Sequence, residues 1–157
     1  MNPSSALSFK ISHNPFDPRE LSLRLAHAQA GACATFEGWV RNHNEGQAVD
    51  SLEYEAFAEL AEREGERVLA EAREKFNLHA AEAVHRVGHL QIGEMAVWVG
   101  VAAAHRGPAF DGCRYIIDEL KARVPIWKKE HYSAGSSAWI NCATRGDHAD
   151  ANEPQSS

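Results

Sequence analysis

The segment from Ile117 to Glu130 most constrains how this chain can fold, because a proline divides it into two kinds of structure. The residues before Pro125 have helical spacing. Pro125 must end that helix, because it lacks an N–H group and disfavours helical geometry at Val124. The residues after Pro125 are expected to continue as an extended strand. Lys121, late in the helix, and Lys128, in the strand, can then be directed at one point.

This segment is also basic, since it places four cations within nine residues of a chain whose formal net charge is −6. Two lysines near one point would suit an anionic substrate, or would make one lysine a nucleophile through the proximity of a cation. Alternatively, the cluster is a solvated basic helix end that complements the helix dipole. An isolated cluster favours the second interpretation, so further motifs have to decide between them.

Length, charge and cysteine content restrict the classes of protein to which this chain can belong. The 157 residues are enough for one domain with a hydrophobic core, and the negative charge argues against nucleic acid or an anionic membrane as a partner. Three widely spaced cysteines without a Cys-x-x-Cys pair predict neither a zinc ribbon nor a disulfide framework, and they favour a reducing cytoplasm. Neither a metal ion nor a cofactor is expected. The N-terminus has no signal-peptide pattern, and the longest apolar run, residues 95–104, is too short to span a bilayer.

Hydrophobic periodicity predicts strands and helices joined partly by hairpins, which indicates an α+β fold. Alternating patterns predict strands at residues 6–11, 32–41, 52–56, 83–90 and 96–104, with short closing strands at 126–127 and 139–140. Helical spacing predicts a first helix from its cap Asp17 to Gly31 and a second helix over residues 59–76. We expect one domain over residues 1–143 and a disordered tail over residues 144–157.

Two of the predicted helices have an expected buried stripe. In the second helix it comprises Leu60, Glu64, Val68, Ala72 and Phe76, and Gly65 is expected to cost about 1 kcal/mol relative to alanine. Pro108 opens the third helix, whose stripe would be Phe110, Cys113, Ile116, Ile117 and Leu120.

Two further segments combine cations with a strand end or a helix start. The segment Trp39-Val40-Arg41 ends a strand and opens into a polar turn, and arginine suits bidentate binding of phosphate or carboxylate. The segment His105-Arg106-Gly107-Pro108 precedes a helix, where free N–H groups and the helix dipole favour anions. The corresponding structural interpretations are a solvated strand end and a histidine that caps the sheet edge.

Other motifs are interpreted as structural. His85 and His89 lie on a strand-like segment and lack the helix that a His-Glu-x-x-His zinc site needs. Cys113 lies on an apolar helix stripe and is expected in the core. No Gly-x-Gly-x-x-Gly motif is present, so a dinucleotide-binding fold has no support.

Taken together, these segments resemble the large, catalytic subunit of the molybdopterin synthase family. They occur in the family's order over about residues 6–141, and the ordered set is specific although each piece is short. The matching pieces are Phe36 to Asn44, Leu52 to Phe57, His85 to Glu94, Ala104 to Arg106 with Ala109 and Phe110, Leu120 with Lys121, and Val124 to Glu130.

The resemblance implies a fold, a set of partners and a reaction. The fold would be an α/β hammerhead with an additional antiparallel β subdomain. The assembly would be a homodimer that binds one small ubiquitin-like sulfur-carrier subunit per protomer, which makes a heterotetramer. The reaction would convert cyclic pyranopterin monophosphate into molybdopterin, with sulfur supplied as a thiocarboxylate on the carrier's C-terminal Gly-Gly tail.

The resemblance also implies site residues. Lys121 and Lys128 would be catalytic, and the substrate would be bound by these two lysines together with Trp39, Val40, Arg41, His105, Arg106, Lys129 and Glu130. One departure concerns an arginine that some family members carry soon after a Trp-hydrophobic pair and that reaches the neighbouring protomer. Here Trp139-Ile140 is followed by Asn141, and the nearest arginine is Arg145.

Two other classes of function remain open from the residues alone. One is a lysine Schiff-base enzyme that acts by itself on a phosphorylated carbonyl compound. The other is a non-catalytic module that binds the Gly-Gly tail of a ubiquitin-like protein.

Overall fold

A computed structural model describes residues 7–135 and 137–142; the predicted tail at 144–157 lies outside them. Its elements in chain order are β1 Leu7–Ser12, α1 Pro18–Leu23, β2 Ala32–Trp39, β3 His43–Asn44, β4 Gln47–Ala56, α2 Ala58–Phe76, β5 Ala80–Arg86, β6 Gly88–Gln91, β7 Met95–Ala103, α3 Arg106–Arg123, β8 Ile126–Tyr132 and β9 Trp139–Asn141. Strands and helices mix without strict alternation, which confirms the predicted α+β class. None of the described helices is long and apolar enough to cross a membrane.

The larger core lies between the first sheet and the two long helices. This sheet has the order β1-β5-β7-β2, in which β1 is parallel to β5 and the other neighbours are antiparallel. α2 and α3 pack against each other and against this sheet. The core is built from apolar side chains of both layers, including Phe9, Val68, Leu69, Val99, Val101 and Ile116. This burial fixes α3 on the sheet and therefore fixes the position of both of its ends.

A second, antiparallel sheet carries most of the candidate site. Its central strand β4 pairs with β8 along one edge and with β6 and β3 along the other, and β9 pairs with β8. One face covers a smaller core of Val40, Val49, Leu52, Leu90 and Ala96. The additional antiparallel sheet that the resemblance implied is therefore present.

The prediction of one strand over residues 83–90 is wrong, because the chain changes sheets within it. β5 ends at Arg86, and β6 begins at Gly88, whose φ of +96° is readily adopted only by glycine. β5 pairs with β1 and β7, whereas β6 pairs with β4. His85 and His89 therefore belong to different sheets.

The start of α1 was predicted correctly and its end was not. The Asp17 side chain accepts a hydrogen bond from the Arg19 amide at 2.9 Å, as expected of a cap. The helix ends at Leu23 rather than at Gly31. Beyond it, Leu25 is buried in a cluster with Trp98, and this packing overrides the helical spacing of the sequence.

The buried face of α2 differs in part from the predicted stripe. Val68 and Ala72 are buried as expected, but Leu60 is 53% exposed and Ala61 takes its place in the core. Gly65 is also buried, and a Cβ atom there would lie 2.0 Å from Cδ1 of Phe9. The glycine thus permits close packing of α2 on β1, a gain that the sequence-based cost of about 1 kcal/mol left out.

α3 ends as the proline predicts. Its last residue is Arg123, and Val124 is extended, with φ −81° and ψ 129°. The helix begins at Arg106, two residues before Pro108. Cys113 is buried as predicted, but Phe110 is 65% exposed, so its assignment to the buried stripe is wrong.

Candidate active site

Lys121 and Lys128 lie on either side of the turn between α3 and β8. Lys121 is exposed in the last turn of α3, and Lys128 is half-buried in β8. The Nζ atom of Lys128 lies 3.0 Å from Oε1 of Glu130, so a carboxylate holds its ammonium group. Lys121 has no ion-pair partner within residues 7–135 and 137–142. One lysine is therefore fixed by the protein, and the other is available to an external anion.

Glu130 is the centre of this cluster. It is 3% exposed and accepts hydrogen bonds at Oε2 from the Asn44 amide group, at 2.8 Å, and from the Tyr132 hydroxyl. Burial disfavours the charged carboxyl group, but the donors Tyr132, Lys128 and Asn44 outweigh it and hold the pKa of Glu130 below its usual value. Glu130 is thus a buried anion that orients Lys128.

Arg41 reaches the same cluster through the hairpin of β3 and β4. Its Nη2 atom donates to Oδ1 of Asn44 at 3.4 Å, and Asn44 in turn donates to Glu130. The hairpin turns at Glu45 and Gly46, which have φ of 50° and 77°, the left-handed pair of a tight two-residue turn. This turn brings an exposed guanidinium group beside the anion that holds Lys128.

Two members of the cluster, Asn44 and Tyr132, are not among the predicted site residues. Asn44 carried a signal, because it lies in the polar turn directly after Arg41. Tyr132 carried none, because its position depends on β8 continuing to Tyr132 well beyond the two residues predicted for that strand.

His85 and Tyr54 connect the surroundings of the two lysines. Tyr54 is directly across from Lys128 in the pairing of β4 and β8, and its ring meets the His85 ring edge-on, with centroids 4.9 Å apart. Burial of the imidazole, together with the charge of Lys121, lowers the pKa of His85 to about 4, against a backbone hydrogen bond to Arg86 that raises it. Burial and the nearby Glu130 raise the pKa of Tyr54. Both rings are therefore neutral near pH 7, and they add no charge to the surroundings of the two lysines.

His105 and Arg106 lie at the opposite end of α3. They line an open pocket of about 620 Å³ together with Gly31, Ala32, Ala104, Gly107 and Pro108. Arg106 begins α3 and Lys121 follows fifteen residues later, so about 22 Å of helix separates them. Within one protomer, the structure does not bring His105 and Arg106 together with the two lysines.

The other predicted binding residues make different contacts from those of the two lysines. Lys129 points to the opposite face of β8 from Lys128, where its Nζ atom lies 5.4 Å from the centre of the Trp139 ring. Trp39 is 66% exposed at the end of β2 and donates its indole N–H to Glu37 at 3.0 Å. Val40 is 3% exposed in the smaller core, so its side chain supports the second sheet.

The assembled part of the site comprises Arg41, Lys121 and Lys128 with the positioning residues Asn44 and Glu130. Lys128 pairs with the buried Glu130, Arg41 is linked to it through Asn44, and Lys121 is near enough to His85 to lower its pKa. Three cations against one anion leave a net positive charge that can bind an anionic group and stabilise oxygen charge that develops during a reaction. The fold and this cluster define an α+β protein with a lysine-rich cationic cluster whose charge can bind an anion.

Comparison with known proteins gives this class a family. The model of the MoaE protein family matches residues 11–123. The chain is 42% identical over 130 residues to the molybdopterin synthase catalytic subunit of Thermoplasma volcanium, which covers 83% of this chain and 95% of that one. It is 39% identical over 149 residues to the catalytic subunit of Rhizobium meliloti, covering 93% and 95%.

A solved structure agrees with the fold. Molybdopterin synthase from Staphylococcus aureus superposes with a TM-score of 0.79 at 34% identity, covering 85% of this chain and 96% of that one. The chain described here belongs to the MoaE family.

Proposed function

We propose that this chain is the catalytic subunit of a molybdopterin synthase. In this role it converts cyclic pyranopterin monophosphate into molybdopterin with sulfur from a thiocarboxylated carrier protein. The observation that supports the proposal is a MoaE-family chain in which Lys121 and Lys128 lie on either side of the turn between α3 and β8.

The two lysines have different roles in this proposal. Lys128 is held by Glu130 at 3.0 Å, so it supplies a fixed positive charge that contacts the substrate or the carrier's terminal thiocarboxylate. Lys121 is exposed and unpaired within the described residues, so it can approach the reacting atoms and exchange a proton. Arg41 adds a guanidinium group suited to the phosphate of the substrate. Attack by the thiocarboxylate sulfur on the pterin side chain develops negative oxygen charge, which these cations stabilise.

The phosphate-binding role of His105 and Arg106 requires a second protomer. About 22 Å of helix separates Arg106 from Lys121, which is too far for one small substrate to contact both residues in one chain. We propose a homodimer in which the His105–Arg106 end of one α3 completes the lysine site of the other protomer. Phe110, 65% exposed one turn beyond Arg106, is a large apolar side chain that such an interface would cover.

Complementation between two inactive variants tests this arrangement. Lys121→Ala and Arg106→Ala are each expected to be nearly inactive as homodimers. Coexpressed, they form mixed dimers in which one of the two sites has both residues intact, so about a quarter of wild-type activity should return if protomers associate randomly. No recovery, with mixed dimers verified by mass spectrometry, would mean that the two residues do not serve one shared site.

The partner and the setting follow from the same reaction. The partner is a small ubiquitin-like subunit whose C-terminal Gly-Gly tail carries the thiocarboxylate, one per protomer in a heterotetramer. The setting is the cytoplasm, a reducing compartment in which the thiols of Cys33, Cys113 and Cys142 stay reduced. No cofactor is assigned to the reaction.

Reconstitution tests the function itself. The chain with thiocarboxylated carrier and cyclic pyranopterin monophosphate should form the dithiolene product. The chain alone should be inert, because Cys113 is buried and the sequence has no Cys-x-x-Cys pair that could relay sulfur. Product formed with inorganic sulfide at the rate supported by the carrier would contradict the proposal. Borohydride trapping of a substrate adduct on lysine would instead favour the Schiff-base alternative.

A further inference from the structure

We propose that Glu53, His89 and His131 form a binding site for a divalent transition-metal ion of the zinc type. The site lies on the face of the second sheet opposite Lys128 and Glu130, since neighbouring residues of a strand point to opposite faces. It departs from the expectation that the chain binds no metal. It is also independent of the proposed sulfur transfer, which uses the other face.

Three adjacent strands bring the three side chains together. Glu53 is on the central strand β4 and is directly opposite His89 on β6. On its other edge, β4 pairs with β8, where His131 is opposite Ser51. Ser51 and Glu53 are two residues apart on β4, so His131 is a diagonal neighbour of Glu53 on the same face of the sheet. No local sequence motif indicates the site, because its three residues are far apart in sequence and are brought together only by the pairing of the strands.

The distances suit a small metal ion. His131 Nε2 lies 2.9 Å from Oε1 of Glu53, and His89 Nδ1 lies 3.5 Å from the same oxygen. The ligand atoms of all three residues lie within 4.8 Å of one another. Tetrahedral zinc with bonds of about 2.0–2.2 Å separates its ligand atoms by about 3.3–3.5 Å, so only small side-chain rotations are needed.

The two imidazole rings are already arranged around the carboxylate. They are stacked, with centroids 5.5 Å apart and planes 21° apart, and both direct a nitrogen toward Glu53. His131 Nε2 lies within hydrogen-bond distance of the Glu53 carboxylate, at 2.9 Å, and so orients a carboxylate of the kind that binds metal ions. The rings and the carboxylate are a third to a half exposed, which leaves a direction open for water as a fourth ligand.

The neighbouring charges do not block the site. Lys129 pairs with Glu53 across β4 and β8, but its ammonium lies over the Trp139 ring. Glu94 is engaged by the Gln91 amide and by Arg86. Two imidazoles and one carboxylate are a ligand set used for zinc, whereas magnesium prefers an all-oxygen octahedron.

Calorimetric titration of the intact chain with ZnCl₂ tests the proposal. All proteins would carry Cys33→Ser, which removes an exposed thiol that binds zinc by itself. We expect one zinc ion per protomer, a Tm that rises with zinc concentration, and no response to MgCl₂. Cobalt, as a spectroscopic substitute, should give the intense visible absorption of tetrahedral coordination.

Variants assign the binding to these residues. His89→Ala, His131→Ala and Glu53→Gln should each weaken zinc binding by more than about tenfold. His13→Ala, at an exposed histidine outside the cluster, is the matched control and should bind as the parent does. Should either alanine variant fail to fold, glutamine at the same position, His89→Gln or His131→Gln, replaces it. Zinc affinity unchanged in these variants, or absent from the parent, overturns the proposal.

Discussion

Protonation of His85 should destabilise the folded protein in mildly acidic solution. Burial lowers the pKa of His85 to about 4 in the folded state, whereas an unfolded chain has a histidine pKa of about 6.5. Below pH 6.5 the unfolded state therefore binds a proton that the folded state does not. The free energy of unfolding falls with pH at up to about 1.4 kcal/mol per unit, or about 2–3 kcal/mol between pH 6.5 and 4.5.

Urea unfolding followed by tryptophan fluorescence measures this loss at a series of pH values. His85→Gln removes the titrating group and should flatten the dependence between about pH 6.5 and 5.5, above the range in which carboxylates of the unfolded chain begin to bind protons. His13→Gln, at an exposed loop residue, is the control and should retain the parent slope. Lys121→Ala should raise the pKa of His85, because it removes a nearby positive charge. An unaltered slope in His85→Gln would refute the assignment of the linkage to this ring.

Three further perturbations test the packing and the boundary of the site. Gly65→Ala should destabilise the protein by about 1–3 kcal/mol in thermal unfolding, because the new Cβ would meet the Phe9 ring at 2.0 Å; a stabilised variant would contradict this packing. Glu130→Gln should cost about 1–3 kcal/mol and lower turnover, because Lys128 loses its anionic partner; a variant with normal stability and turnover would remove Glu130 from the site. Removal of residues 144–157 should leave Tm and turnover nearly unchanged, and a large loss of either would show that the tail contributes to the fold or to the site.

The features predicted well from sequence are those fixed by local chemistry. Pro125 ends α3 and leaves Val124 extended whatever packs around them. Asp17 caps α1 because its side chain needs only the amide two residues on. Alternation along β2 matches its burial, with Ala34 buried and Cys33 and Thr35 exposed.

The features missed are those decided by tertiary packing. α1 ends early because Leu25 packs against Trp98, and residues 83–90 split because Gly88 redirects the chain to the second sheet. Phe110 fits the helical spacing of the core but faces outward, while Gly112, which periodicity ignores, is buried against Leu78. The positions of Phe110 and Gly112 are decided by the size of each side chain relative to the space between the packed elements. A single sequence does not show how large that space is.

The candidate site divides in the same way. Lys121, Lys128 and Arg41 were found because each adjoins a strong local signal: a helix-ending proline or a polar turn. The link from Arg41 to Lys128 depends on a hairpin that places Asn44 between Arg41 and Glu130, and the position of Tyr54 opposite Lys128 depends on the register of β4 and β8. The separation of Arg106 from Lys121 follows from the length of α3. That length could be predicted from the sequence, because Pro125 marks the end of the helix.

The most direct test of the account is single-turnover product formation with preformed thiocarboxylated carrier. Lys121→Ala should lose nearly all sulfur transfer and keep both its fold and its complex with the carrier, because Lys121 is exposed and its loss opens no cavity. Lys121→Arg should recover little if the residue exchanges a proton, since a guanidinium group holds its proton too tightly, and much if it acts only as a charge. Lys10→Ala, at an exposed lysine of β1, should behave as the parent does. Near-normal turnover in Lys121→Ala would contradict the central claim that this lysine is catalytic.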